Sequence, residues 1–404
     1  MDFRLAIQIV FWSSVAALFY TYAGYPILVL IVSLLRARIV KRAANEPSVS
    51  VIIAAYNEER AMRSKLENTF ALNYPATKLE VIVASDCSTD RTDEIVHEFA
   101  PRGVRLHRQP ERLGKTAAQN EAVKLARGEV VLFSDATTLY QPNVLNVMMP
   151  DFADPSVGCV AGRLIYLDPA ESVVGHGARS YWSYETFLKT HESRVFSLVG
   201  ASGCLYAVRR DAYVPMYHEA CSDFLIATKM VEQGLRTVFE PDAICTEETN
   251  RHAGKEMRMR VRVITQTFTD LWRHRAMMNP RRGGFYAVQL FSHKVLRYFV
   301  PIFLFAMFGS STVLALNSRF YAAALAAQLL FYALAIGGWI LELAGVGRLR
   351  MLALPQYFVL ANVAAVIACY KFLSGERYSR WEPIREPQSA AGSTVAAAGN
   401  HGRD

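Results

Sequence analysis

SVSVIIAAYNEE, residues 48–59, decides the fold: an apolar, largely β-branched run from Val49 to Ala54 stops at the polar cluster Ala55-Tyr56-Asn57-Glu58-Glu59. A continuous rather than alternating apolar run of this length predicts a strand buried on both faces. The same pattern recurs at Leu79 to Ala84, followed by Ser85-Asp86-Cys87-Ser88-Thr89-Asp90, and at Glu129 to Phe133, followed by Ser134-Asp135-Ala136-Thr137. Helical patterns over Ala61 to Ala71, Thr92 to Phe99 and Lys115 to Ala126 separate the runs. Alternation of this kind predicts an α/β domain with a mostly parallel sheet. Ligands of such sheets bind beyond the carboxyl ends of the strands, which makes the three polar clusters the candidate site.

Asp86 and Asp135 at strand ends, with Lys115 opening the helix between them, suit a nucleotide diphosphate with a divalent cation. Ser88, Thr89 and Asp90 have a second reading as caps of the helix that begins near Thr92.

Outward from this domain the composition changes. The chain has 404 residues, 52% hydrophobic and only 20% charged, and the apolar excess lies at the two ends. Leu5 to Leu35 contains no Asp, Glu, Lys or Arg, which is ample for a retained membrane span. Arg36, Arg38, Lys41 and Arg42 follow it and place the next domain on the cytoplasmic side. Tyr298 to Ser318, Phe320 to Leu341 and Met351 to Tyr370 predict three more spans. Residues 285–297 mix apolar side chains with His293, Lys294 and Arg297 and read as a helix in the membrane interface, or as the start of the span that follows. The expected organisation is therefore an N-terminal transmembrane helix (1–40), a cytosolic domain (41–282), an interface helix (283–297), three membrane segments (298–373) and a partly disordered tail (374–404). Three crossings put the C-terminus outside, whereas a re-entrant final segment broken at Leu354-Pro355 would keep it inside.

The net charge of +8 arises from 44 Lys and Arg against 36 Asp and Glu. The basic residues cluster beside membrane segments, where lipid headgroups account for them, and no nucleic-acid motif is present. The six cysteines form no C-x-x-C pair and read as reduced thiols, in keeping with a cytosolic domain.

The ordered segments SVSVIIAAYNEE (48–59), VIVASDCSTDRT (81–92), GKTAAQNEA (114–122), VVLFSDATTLYQPN (130–143), SGCLYAVRR (202–210), SDFLIATKMVEQGLRTVFEPDA (222–243) and RMRVRV (258–263) resemble the membrane-bound family-2 glycosyltransferases, a group that includes cellulose, hyaluronan and poly-N-acetylglucosamine synthases. The resemblance covers most of residues 47–300 and implies a GT-A-type nucleotide-sugar-binding domain flanked by transmembrane helices. It implies a UDP-sugar donor contacted by Tyr56, Glu58 and Asp86, with Lys115 and Asn120 as the K-x-x-x-x-N element near the diphosphate. It implies Asp135 as a ligand of Mg2+ or Mn2+. The family's D-x-D here reads Asp135-Ala136-Thr137, so that Thr137 or water stands where a second acid is usual.

The resemblance further makes Asp223 the general base of an inverting displacement, although a helix N-cap is the alternative reading for that position. Ser202, Gly203 and Cys204 fall where relatives have a small-residue loop under the acceptor; Glu185 and Glu192 read equally as acceptor contacts or surface charges. Residues 258–263 alternate with period two like a strand, while as a helix Lys255, Arg258 and Arg262 share a face. They resemble the Q-x-x-R-W element, with Met259 and Val263 in place of Gln and Trp, and this assigns Arg262 and Arg260 to the departing diphosphate. Trp381 and Arg385 resemble a tail element that closes over the donor.

The implied activity is transfer of a hexose or N-acetylhexosamine from a UDP-sugar to a lipid-linked or glycan acceptor in surface polysaccharide or glycolipid synthesis, at the inner membrane if the chain is bacterial. A processive polysaccharide synthase and a catalytically silent scaffold subunit are the alternatives. Homo-oligomers or assembly partners accord with either enzymatic reading.

Overall fold

The computed structural model describes residues 3–167, 173–248, 253–343 and 350–381. The three expected runs form parallel strands β1 (Val49–Ala55), β2 (Leu79–Ser85) and β4 (Val130–Asp135), and β3 (Val104–Arg108) extends the same parallel half. The second half comprises the two-residue β5 (Leu139–Tyr140), β6 (Val157–Leu167), β7 (Leu205–Arg209) and β8 (Arg236–Glu248). The eight strands of the described residues form one sheet in the order β3-β2-β1-β4-β7-β6-β8-β5. β7 runs antiparallel to β4 and β6, whereas β8 is parallel to β6.

Successive side chains of a strand enter opposite faces, and two cores result. Val51, Ile53, Val81, Val83 and Leu132 fill one, whereas Ile52, Ile82, Ala84, Val131 and Phe133 fill the other. The register aligns the strand ends: Ala55 pairs with Ser85, and Ala54 with Asp135. Tyr56, Asp86 and Asp135 consequently emerge along one edge. The chain leaves β1 and β2 through Asn57 and Cys87, whose positive φ values of 54° and 60° turn it sharply.

Among the described residues four helices are long and apolar enough to cross a membrane: Phe3–Leu35, Phe285–Ala315, Arg319–Leu341 and Met351–Leu373. Two helices of the sheet domain seat it on them. Val173–Val195 packs Leu188 and Val195 against Tyr25 and Val29. Ala253–Arg273 packs Val261, Ile264 and Phe268 against Ala364, Ala365 and Ala368.

The structure decides between two pairs of readings that the sequence left open. Residues 258–263 are helical: Val261, with Ile264 and Phe268 further along this amphipathic helix, packs against the membrane-length helix Met351–Leu373, while Arg260 and Arg262 line a cavity. The separate interface helix over 283–297 is instead the first part of the continuous helix Phe285–Ala315, which contains a π turn at Phe291–Val295. Its cations are turned into the protein: His293 is buried between Glu185 and Glu192, and Arg297 pairs with Glu185. Partners from Val173–Val195 capture charges that would otherwise face headgroups. All six cysteines are free.

Candidate active site

A cavity of about 810 Å3 lies beyond the strand ends and runs down between the membrane-length helices. Glu58, Lys115, Asp135, Thr137 and Glu247 line its upper end; Ser202, Gly203, Cys204 and Asp223 line the middle; Tyr357, Phe358, Ala361 and Phe331 line the far end.

Asp90, read as either a cap or a site residue, accepts from the backbone N–H of Thr92 at 3.0 Å and of Glu59 at 3.0 Å. It laces the first two strand-end loops together. Asp86 is buried and accepts from Gln109 Nε2 at 2.7 Å, Leu113 N at 2.9 Å and Gly114 N at 3.0 Å. Its carboxylate thus organises the loop that delivers Lys115. Gly114 has φ +104°, and a Cβ on it would lie 1.9 Å from the carbonyl oxygen of Ser379, so glycine alone allows the C-terminal segment to pass. That segment leans on the first strand end: Arg112 stacks 3.7 Å from the ring centroid of Tyr56 and donates to the carbonyl of Trp381. Arg385 lies outside the described residues.

Lys115 Nζ pairs with Asp135 and also donates to the Gly203 carbonyl at 3.4 Å. Burial works against its charge, but Asp135 and Asp223 outweigh burial and hold its pKa above the ordinary lysine value. Asn120, expected at the diphosphate, is instead used by the fold: its amide donates to Met216 O at 2.7 Å and accepts from Tyr213 Oη at 2.8 Å and Met216 N at 3.1 Å. Its oxygen is taken up twice and one of its two N–H donors once by the 213–216 segment, which commits the side chain to the fold.

Asp223 is not an N-cap. Cys221 holds that position, and Asp223 falls in the first turn of helix Ser222–Glu232. Its Oδ1 accepts from Phe224 N and Cys221 Sγ, each at 3.1 Å. Its Oδ2 faces Gly203, where an added Cβ would approach to 3.0 Å. The Ser202-Gly203-Cys204 loop therefore passes directly against this carboxylate because residue 203 has no side chain.

Three groups that sequence reading passed over support these residues. Lys189, from helix Val173–Val195, donates to Ser202 Oγ at 2.7 Å and fixes the same loop. Lys65 is fully buried, donates to Thr138 O at 2.8 Å and sits 3.5 Å from the Tyr140 ring centroid; burial pushes its pKa down to about 7. Glu247 accepts from Thr137 Oγ1 at 2.7 Å. None follows an apolar run or belongs to a short motif. Glu185 and Glu192, by contrast, were in view, and both are buried structural partners. Burial disfavours the charge of Glu185, but Arg297 and His293 hold its pKa well below the usual carboxylate range.

Among the described residues no group of three His, Cys, Asp or Glu side chains is placed to hold a metal unaided. The upper end is nevertheless made of hard oxygen donors. Burial, followed by the charges of Asp135 and Glu247, pushes Glu58 up to about 8. Such a donor set suits Mg2+ or Mn2+, which bind through one or two carboxylates and complete their shell with substrate phosphates and water.

Arg262 lines the same cavity as Asp223, whereas Arg260 pairs with Glu256 at 2.9 Å and lies 4.5 Å from the Tyr357 ring centroid, on the wall formed by a membrane-length helix. If Arg262 steadies a leaving diphosphate, Arg262→Ala lowers kcat by about a hundredfold and changes KM far less. Initial rates across donor concentrations check this, and an effect confined to KM would contradict it.

An eight-stranded sheet of this order, with acids and a lysine converging beyond its parallel strands, has the GT-A fold. The chain superimposes on a mannosyltransferase from Pyrobaculum calidifontis, solved in complex with GDP-Man and Mn2+, with a TM-score of 0.73 at 22% identity over 92% of this chain and 99% of that one. Residues 50–214 match the model of Glycosyl transferase family 2. Over that segment the chain is similar to the family-2 glycosyltransferases. Among curated proteins it is similar to an N-acetylglucosaminyltransferase of Mesorhizobium japonicum, 27% identical over 240 residues covering 55% of this chain and 57% of the relative. It is also similar to a poly-beta-1,6-N-acetyl-D-glucosamine synthase of Staphylococcus aureus, 25% identical over 221 residues covering 53% of each. The chain thus spans just over half the length of these curated relatives.

Proposed function

We propose that the protein is an inverting, integral membrane glycosyltransferase that moves a hexose or N-acetylhexosamine from a UDP-sugar to a lipid-linked or glycan acceptor, with its catalytic domain on the cytoplasmic face. The observation that carries this reading is the single cavity joining a donor end of Lys115 and Asp135, through Asp223, to the helices long enough to cross a membrane. A donor bound beyond the strands and an acceptor entering from the membrane would meet at Asp223.

In this reading Asp223 takes the proton of the acceptor hydroxyl as that oxygen bonds to the anomeric carbon, and the bond to the UDP oxygen breaks. Direct displacement inverts the centre, so an α-linked donor gives a β-linkage. Lys115 and Arg262 face the negative charge that develops on the diphosphate. A divalent ion held by Asp135 would add Lewis-acid neutralisation of that charge. Tyr56, Glu58 and Asp86 are assigned to the nucleoside, and Ser202, Gly203 and Cys204 to the acceptor. Arg260 supports the wall of the acceptor passage.

The donor assignment is tested by supplying membranes that contain the protein with matched UDP- and GDP-sugars and measuring nucleotide release. Turnover confined to UDP-sugars is expected; turnover with GDP-mannose alone would overturn it. The aromatic lining at Tyr181, Trp182, Tyr184 and Tyr298 favours a second reading, a processive synthase, because rings of this kind stack on sugar faces. A ladder of product masses in place of one increment would establish that reading.

A further inference from the structure

The D-x-D position of this chain has lost an acid, and the fold returns one from a distant strand. β5 and β8 pair antiparallel with Leu139 opposite Thr246 and Tyr140 opposite Cys245. Continuing that register one step brings Glu247 alongside the Thr137-Thr138 segment that leads into β5. The side chains meet there, with Thr137 Oγ1 donating to Glu247 Oε1 at 2.7 Å. The segment is fixed from behind, since fully buried Lys65 holds the carbonyl of Thr138 at 2.8 Å. Glu247 is only 2% exposed, yet it lines the same cavity wall as Asp135, Thr137 and Glu58.

We propose that Glu247 supplies the second carboxylate of the divalent-ion site, in place of the acid that Thr137 replaces, so that the ion is held by Asp135 from β4 and Glu247 from β8. This rests on the donor-site reading above. With Asp135 alone the protein would contribute one negative charge to the ion; Glu247 restores two, the number that Mg2+ and Mn2+ commonly take from protein when phosphates complete the shell. Thr137 keeps a role as the hydroxyl that orients Glu247. Sequence reading could not find Glu247, because it lies 112 positions beyond Asp135 at the end of a strand and belongs to no short motif.

The test is Mn2+ binding rather than turnover. Free Mn2+ is titrated by electron paramagnetic resonance against the detergent-solubilised full chain in the presence of UDP. Glu247→Gln retains an oxygen that can accept from Thr137 but removes the charge, and Mn2+ affinity should fall at least about tenfold. Thr137→Val removes the hydrogen bond and keeps the charge, and should cost only a few-fold. Thr137→Asp combined with Glu247→Gln returns an acid to the loop and should recover most of the affinity. If Glu247→Gln does not fold, Glu247→Asp, which withdraws the charge by one methylene, should give an intermediate loss. Wild-type affinity in Glu247→Gln, or in Glu247→Asp where that variant must serve, would overturn the proposal. So would an equal loss in Thr137→Val, because Glu247 would then be only a prop for the loop. The titration is repeated with GDP: a preference for GDP would sink the donor assignment and leave the comparison of variants at Glu247 intact.

Discussion

Asp223→Asn is expected to lower sugar transfer by roughly a hundredfold to ten-thousandfold, the range that a positioned general base contributes, while UDP binding changes little. The separation of effects follows from where the residue lies. Asp223 sits in the first turn of its helix, with Oδ1 held by the N–H of Phe224 and the thiol of Cys221. An asparagine can keep its oxygen toward these donors and place its amide toward Gly203, so the fold survives. What it lacks is a basic oxygen facing the acceptor loop. The donor end of the cavity, built on Lys115 from another helix and Asp135 from β4, keeps both residues and their ion pair. Equilibrium UDP binding and single-turnover transfer, measured on the same preparation, check both halves. Retained turnover would remove Asp223 from the base role, and loss of UDP binding would relocate it to the donor site.

The second large effect is expected for Asp135→Asn. Asp135 ends β4, pairs with Lys115 and faces Glu58 across the upper cavity. Substituting the amide removes an anionic oxygen from the expected ion and also leaves the partly buried ammonium of Lys115 without its nearest counter-charge. Donor affinity and divalent dependence should therefore fall together, the former by at least about tenfold. A titration of Mg2+ or Mn2+ at fixed UDP-sugar reads both. An unchanged metal midpoint would place the ion elsewhere.

The parallel half of the sheet was legible in the sequence because its strands are buried on both faces and so appear as unbroken apolar runs between amphipathic helices. Strand ends were legible for the same reason, and with them Tyr56, Asp86 and Asp135. Residues 258–263 were not, since a helix wedged between a membrane helix and a polar cavity carries arginines and valines in an order that also fits a strand. His293 and Arg297 resembled headgroup ligands because the acids that pair with them, Glu185 and Glu192, are about a hundred positions away in the chain. Asn120 failed for a related reason: its partners at 213–216 become neighbours only when the sheet is assembled. Local pattern reports which residues a segment must bury, and it is silent on which distant segment supplies the partner.

The central claim is that one cavity joins a UDP-sugar to a membrane-borne acceptor at Asp223. Its most direct test is mass spectrometry of the lipid and polymer fractions from membranes carrying either the native chain or Asp223→Asn, each supplied with a panel of UDP-sugars. The account predicts a new species heavier than its acceptor by one sugar residue, formed from one UDP-sugar by the native chain and absent with the variant. The same species from both proteins, or no sugar-bearing product from any donor in the panel, would contradict it.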